Sequence, residues 1–198
     1  SGCSALTKLY CYDNQLTSLD VSGCTGLWGL YCSNNQLASL NVSGNTTLTT
    51  LLCDGNQLTS LDVSNCTALQ GIGYSDNPLT SLNLSGCTAL TELTIASGCT
   101  LTDLDVSGCT ALERLDCFDN QLTSLNAASC TALNILRCLN TSLTSLDVSG
   151  CTALIELYCE NNQLTSLDVS GCTALKRLGC RYNQLTSLDV SDCTALTD

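Results

Sequence analysis

The 198-residue sequence contains no histidine and no methionine, and it has only six lysines and arginines. The absence of histidine excludes catalytic triads and metal sites that depend on an imidazole ring. Binding to nucleic acid phosphates requires clustered Lys and Arg side chains, so a net charge of −12 makes nucleic acid a poor partner. No apolar run approaches the roughly 18 residues of a membrane span, and no secretory signal is visible.

What the sequence does contain is one pattern, repeated throughout. The copies begin at leucines that lie 21 residues apart, with one interval of 22: Leu6, Leu27, Leu48, Leu69, Leu90, Leu112, Leu133, Leu154 and Leu175. A fixed period of this size predicts stacked units, because one copy is too small to bury its own apolar face. We expect a single domain over residues 1–198, with nine repeats and a partial repeat at each end, cut from a longer array.

Each repeat consists of two similar halves. In the first copy, Leu9 and Cys11 alternate with polar residues, and Leu19 and Val21 do the same ten residues later. Alternation with a period of two is typical of a short strand with one buried face. The sequence predicts a parallel strand in the first half-repeat and either a second strand or an extended segment in the second. The fifth copy carries one extra residue, so we expect a bulge or bend at the fourth and fifth rungs.

The consensus L-x-x-L-x-C-x-x-N-x-L, as in residues 6–16, resembles the leucine-rich repeat family, and its 21-residue period resembles the irregular bacterial class. This resemblance covers nearly the whole chain. It implies a solenoid of leucine-rich repeats, with short parallel β-strands stacked in nine rungs, little or no helix, and room for a second strand per rung on the opposite side. It also implies an asparagine ladder, a ligand-binding concave face and a bacterial protein that is secreted or located at the cell surface.

Asparagine and cysteine form columns at repeat-equivalent positions. A buried Asn offers two donors and an acceptor to the backbone groups of its own and adjacent rungs, so we interpret its column as structural. The 17 cysteines lie at inward positions, where Cys behaves as a small apolar residue. The spacing lacks the close C-x-x-C pairs of zinc sites. We favour free buried thiols, which suit a reducing or anaerobic setting, although disulfides between rungs remain an alternative.

Aspartate and threonine form further columns in the second half-repeat. Asp20 and its equivalents are interpreted as a solvated edge that prevents aggregation, with a cation-binding ladder as the alternative. The Thr columns fit strand and turn positions, and they also resemble the regular arrays of ice-binding proteins.

The variable positions of the first half-repeat hold all six cations and seven of the eight aromatic residues. Exposed Tyr, Trp and Arg on a rigid sheet are the residue types that anchor interfaces. A constant frame with one variable face therefore indicates recognition. The candidate ligand-binding residues are Lys8, Tyr10, Tyr12, Trp28, Tyr31, Leu52, Arg114, Asp116, Phe118, Arg137, Glu156, Tyr158, Arg181 and Tyr182.

No glycine-rich phosphate loop or paired-carboxylate pocket stands out in the sequence. We therefore predict a non-enzymatic module, without a cofactor or a metal, that binds a protein or a glycan through the variable strand face. Two alternatives come from other classes: a passive stalk or spacer of a surface protein, and an ice-binding protein that uses its Thr columns. Open solenoid ends also predict end-to-end self-association.

Overall fold

The computed structural model describes residues 2–64, 66–95 and 99–198, and it contains fourteen strands of three residues each. In chain order the strands are β1 Lys8–Tyr10, β2 Gly29–Tyr31, β3 Thr50–Leu52, β4 Ser60–Asp62, β5 Gly71–Gly73, β6 Ser81–Asn83, β7 Glu92–Thr94, β8 Asp103–Asp105, β9 Arg114–Asp116, β10 Ser124–Asn126, β11 Ile135–Arg137, β12 Ser145–Asp147, β13 Glu156–Tyr158 and β14 Arg177–Gly179.

The first half-repeats build one parallel sheet of nine strands, in the order β1-β2-β3-β5-β7-β9-β11-β13-β14. The register joins equivalent repeat positions, such as Leu30 with Leu51 and Leu136 with Leu157. Because side chains alternate across a strand, the central residue of each strand, Leu in eight strands and Ile72 in β5, points inward and the first and third residues point outward. Leu30, for example, is completely buried. The predicted leucine-rich solenoid of nine rungs is confirmed.

The second half-repeats form strands in the middle of the solenoid. One sheet contains β4 and β6, another contains β8, β10 and β12, and an isolated bridge joins Asp20 to Asn41. Elsewhere in the described part of the chain, this segment is not assigned as a strand. Both sequence alternatives, a second strand and an extended segment, therefore occur. The described residues contain no helix, and thus none long and apolar enough to cross a membrane.

The fourth and fifth rungs interrupt this regularity, as the sequence predicts. Strands β5 and β7 pair only through Gly71 and Glu92, and the second-side pairing stops after β6 and resumes at β8. The extra residue of the fifth repeat falls at 96–98, which lies outside the described residues. Tyr74 occupies the inward Cys position of the fourth repeat, and Cys99 replaces Asn in the fifth.

Leucine and cysteine columns fill the core between the two sides. All 17 cysteines are free thiols in the structure, and 14 of them are buried. The Asn column has the predicted structural role. The Asn35 side chain donates to the carbonyl oxygens of Cys11 and Cys32 at 2.9 and 3.1 Å, and its own oxygen accepts the Leu16 N–H at 2.9 Å. One amide therefore satisfies backbone groups on two rungs.

Candidate recognition face

The variable strand face is the outward side of the nine-stranded sheet. Nine predicted ligand-binding residues occupy its first and third strand positions: Lys8, Tyr10, Tyr31, Leu52, Arg114, Asp116, Arg137, Glu156 and Tyr158. The other five flank strands: Tyr12, Trp28, Phe118, Arg181 and Tyr182. Tyr182 lies in a turn with a φ of 56°, a left-handed conformation that is uncommon for a large side chain. The parallel register brings nine of these fourteen residues into two clusters, one on β1 and β2 and the other from β9 to β14. Leu52, Phe118, Tyr158, Arg181 and Tyr182 are not members of either cluster.

The aromatic cluster, defined as Lys8, Tyr10, Tyr12, Trp28 and Tyr31, covers β1 and β2. Tyr10 pairs with Tyr31 in register, and their rings stack with centroids 4.5 Å apart and an interplanar angle of 12°. The Lys8 ammonium lies 4.1 Å from the centre of the Trp28 ring, a favourable cation–π geometry. Tyr10 is 58% exposed and Tyr12 is 52% exposed. The cluster presents a pre-ordered apolar surface with a positive charge at its edge.

The ion-pair cluster, defined as Arg114, Asp116, Arg137, Glu156 and Arg177, crosses β9, β11, β13 and β14. Arg114 Nε donates to Asp116 Oδ2 at 2.7 Å, and Arg177 donates to Glu156. Arg137 lies between the two acids, with nitrogens 3.6 Å from Asp116 Oδ1 and 3.9 Å from Glu156 Oε2. Two in-register pairs on neighbouring strands, Asp116 with Arg137 and Glu156 with Arg177, therefore join opposite charges.

The predicted accessibility of Asp116 is wrong. Alternation places it outward, and the sequence therefore presents it as an accessible contact residue. The residue is only 5% exposed, because Arg114 from its own strand β9 and Arg137 from the neighbouring strand β11 approach its carboxylate. Asp116 thus holds arginines in place from beneath rather than offering a free surface.

Arg137 is the central side chain of the ion-pair cluster. Both of its ion-pair distances exceed hydrogen-bonding range, and no side-chain hydrogen bond involves it among the described residues. Its guanidinium lies 5.9 Å from the Tyr158 ring centre, and 31% of the side chain is exposed. An Arg in this state keeps N–H donors available for a ligand, and its distance from the ring lies at the outer limit of a cation–π contact.

The sequence places Arg177 and Glu160 in the variable first half-repeat, but the candidate ligand-binding residues did not include them. Arg177 occupies the same strand position as Lys8 and Arg114, so the 21-residue register could have identified it. Glu160 lies over Gly179, and its carboxylate is 3.8 Å from Arg181. That contact depends on the missing side chain at Gly179, which no periodicity reveals.

The opposite side of the solenoid presents the Asp and Asn column. The oxygen of each side chain accepts the backbone N–H two residues later, as in Asp168 to Ser170 at 2.9 Å. This contact lowers the pKa of Asp168, first through the backbone hydrogen bond of Ser170 and then through its hydroxyl. Within the described ranges, no group of three or more Cys, Asp or Glu is placed to hold a metal ion. The residues serve as local turn caps on a solvated edge.

Comparisons with known proteins identify the same repeat pattern. A family model described as leucine-rich repeats in two copies matches residues 152–193, and one described as a leucine-rich repeat matches residues 139–154. No curated protein sequence matches the chain.

Solved structures match over nearly the whole chain. The functional domain of InlJ from Listeria monocytogenes, which includes a cysteine ladder, is 41% identical with a TM-score of 0.78, over 98% of this chain and 43% of that one. A leucine-rich repeat protein from Leptospira interrogans is 26% identical with a TM-score of 0.63, over 96% and 58%. The leucine-rich effector YopM from Yersinia pestis is 25% identical with a TM-score of 0.67, over 89% and 49%. The chain therefore spans less than two thirds of each of these structures.

Proposed function

Because the chain is a leucine-rich repeat protein, we propose that it is a non-enzymatic recognition module that binds a protein through its variable strand face. The observation that carries this proposal is the concentration of exposed aromatic and arginine side chains on one rigid parallel sheet. Tyr10, Trp28 and Phe118 are all exposed large side chains on the same side of the chain. Residues of these types supply most of the binding energy in protein interfaces.

The order of these side chains supports a role in binding. Tyr10 and Tyr31 stack on each other, and Arg137 is held between two acids and a ring. Side chains that are fixed before binding lose less conformational entropy when a partner arrives. A passive stalk gains nothing from ordered aromatic rings in water, so the arrangement favours recognition over the spacer alternative.

Charge distribution also distinguishes the two sides. None of the six cations lies in a second half-repeat, where Asp62, Asp105 and their equivalents repeat along the chain. The variable strand face therefore mixes both signs, while the opposite side is acidic. Mixed charges and aromatic rings suit a protein partner, whereas the acidic column on the second side, interrupted by Asn41, Asn83 and Asn126, disfavours association with other acidic surfaces.

The threonine columns support the recognition proposal less directly. The hydroxyls of Thr80, Thr123 and Thr144 each donate to a backbone carbonyl of the preceding rung, at 3.1 Å. These contacts use the hydroxyl proton inside the protein and explain the columns as rung-to-rung stabilisation. The ice-binding alternative requires hydroxyls that are directed to water instead.

We extend the proposal to location: the module belongs to a bacterial protein that is secreted or displayed at the cell surface. Support comes from the similar solved structures of Listeria, Leptospira and Yersinia, one of which is described as an effector. Fractionation of the source cells into medium, envelope and cytoplasm tests this directly, and recovery in the cytoplasm alone would contradict it.

A screen against protein and glycan arrays tests the function. We expect wild-type hits among proteins to disappear when Tyr10, Tyr31, Arg137 and Tyr158 are changed to Ser, because the change removes ring area and the central guanidinium. The matched control changes the exposed Thr80, Thr123, Thr144 and Thr165 to Ser and keeps the hits. Hits on glycans alone would change the ligand class, and hits that survive the first variant would move the site away from this face.

A further inference from the structure

Four glycines lie in the nine-stranded sheet. At three of them a neighbouring side chain occupies the space that a larger residue would need. A Cβ atom at Gly73 would lie 2.7 Å from the Asp54 carboxylate, and one at Gly179 would lie 2.5 Å from the Glu160 carboxylate. At Gly29 a Cβ would come within 3.0 Å of the Tyr31 ring. In each case the missing side chain provides room for a neighbour that crosses the sheet surface.

No neighbouring side chain requires glycine at position 71. A Cβ atom there would meet nothing within 4 Å, and its φ lies outside the left-handed region that favours glycine. Glycine in a strand weakens the strand and often marks a place where a ligand or another backbone approaches closely. The fold therefore accepts a side chain at this position, and strand stability would benefit from one, yet the position is empty.

The empty position forms a notch across the variable strand face. The space above Gly71 is open between the side chains of β3 and β7, whereas Leu52 and the Asp54 carboxylate cover the space above Gly73, the other outward residue of β5. In register, Thr50 lies on one side of Gly71 and Glu92 on the other, roughly 10 Å apart at two strand spacings. The half-buried Leu52 forms an apolar wall beside them. We call this depression the glycine notch.

The glycine notch lies midway between the two clusters. From β5, two strand spacings lead to β2 at the aromatic cluster and two lead to β9 at the ion-pair cluster. A partner that contacts both clusters must therefore cross β5. Binding-energy hot spots concentrate near the centre of an interface, in well-packed pockets, and the notch is the central depression between the clusters.

We propose that the glycine notch receives a Tyr or Trp side chain that protrudes from a protein partner, a refinement that rests on the recognition function proposed above. The ring would pack against Leu52 and the Thr50 methyl group. Its O–H or N–H would donate to the exposed Glu92 carboxylate, which matches the preference of Tyr and Trp for sites that are apolar at one end and polar at the other.

A graded substitution series tests this proposal. The probes are the proteins that bind wild type on the array, and a phage library of random 16-residue peptides selected on wild type. Gly71→Ala keeps the dissociation constant within about threefold of wild type. Gly71→Tyr raises the dissociation constant at least about tenfold, because the new ring fills the space that the partner's Tyr or Trp side chain would occupy. We also expect the selected peptides to be enriched in Tyr and Trp.

The matched control is Gly171→Tyr, whose Cβ would lie 3.5 Å from the Gly150 nitrogen on the other side of the chain. It leaves binding unchanged. Urea unfolding confirms that each variant is folded, and Gly71→Val provides a second, smaller block. If Gly71→Tyr keeps wild-type affinity while the fourfold Ser variant loses it, the notch proposal is wrong and the recognition proposal stands. If the screen yields no binders, or the Ser variant keeps them, both proposals fail.

Discussion

At the scale of single residues, Tyr74 is the most unusual member of the core. It replaces Cys in an inward column and is completely buried. Its hydroxyl has no hydrogen-bond partner among the described residues, and burial raises the pKa of the phenol well above its usual value. A buried polar group without a partner costs free energy that a purely apolar ring would not. The fourth rung therefore contains a local defect that the repeat pattern does not require.

Removing this hydroxyl should stabilise the protein. We expect Tyr74→Phe to raise the free energy of unfolding by about 1 kcal/mol, because it deletes an unsatisfied buried group and keeps the ring. Urea unfolding measures the change. Tyr10→Phe serves as the control, since Tyr10 is exposed, and should stay within about 0.5 kcal/mol of wild type. A loss of stability in Tyr74→Phe would show that the hydroxyl has a partner.

The residue scale is also where sequence analysis is least complete. The inward position of Tyr74 follows from the period, but its missing partner does not. The burial of Asp116 likewise depends on the directions of two arginine side chains, one on its own strand and one on the neighbouring strand. Periodicity determines which side of a strand a residue faces. It does not determine the direction in which a long side chain extends over the surface of the sheet.

At the scale of elements, the inward cysteine column and the asparagine ladder both form hydrogen bonds between neighbouring rungs. Thiols in the second half-repeat donate to backbone carbonyls of the preceding rung, as in Cys130 to Val106 at 3.1 Å. Asn45 occupies the same column position and donates to the equivalent carbonyl of Val21 at 3.2 Å. Burial raises the pKa of Cys130 to about 12, so its thiol keeps the proton that it donates. The cysteine column is therefore a weaker counterpart of the asparagine ladder.

The Asp column predicts how stability depends on pH. The pKa values of Asp62, Asp168 and Asp189 are lowered by hydrogen bonds from the serine two residues later. Ionised carboxylates thus stabilise the fold above the pKa of the unfolded chain, about 3.9. This stabilisation is lost as the pH falls through the lower pKa values of the folded state.

Replacing the column tests this sign. With Asp20, Asp62, Asp147, Asp168 and Asp189 changed to Asn, the melting temperature should fall less between pH 4 and pH 2 than in wild type, because Asn caps the turn without titrating. Asn41 and Asn83 already do this in the wild-type chain, accepting at 3.0 and 3.1 Å. The same five positions changed to Ala should lower the melting temperature at neutral pH. An unchanged acid slope in the Asn variant would contradict this role.

The sequence pattern could have predicted these turn caps, but the prediction was not made. The segment D-x-S occurs in six of the nine second half-repeats and N-x-S in two more, at Asn41 and Asn83. An Asp or Asn side chain that accepts from the backbone two residues later is a known turn pattern. Attention to the charge of the column favoured a solvated edge, which the structure supports. The local hydrogen bond, which explains why Asn substitutes freely for Asp, follows from the same residues.

At the scale of the whole molecule, the period alone predicts most of the architecture. One 21-residue spacing is sufficient to define nine rungs, the inward leucines and the side of the sheet that varies, because parallel stacking aligns equivalent positions. The interruption near β5 and β7 was expected from the extra residue of the fifth repeat. The division of the variable strand face into an aromatic end, a glycine notch and an ion-pair end was not, because it depends on how single substitutions meet in register.

Hydroxyl-radical footprinting of a complex with an array-identified protein tests the central claim most directly, since it reports which side chains a partner covers. We predict that Tyr10, Tyr12, Trp28 and Tyr158 lose reactivity on binding. Leu188, which is 39% exposed in a second half-repeat, should react equally in the free and bound states. Protection of Leu188, with the four aromatic residues still reactive, would place the partner away from the variable strand face and contradict recognition through it.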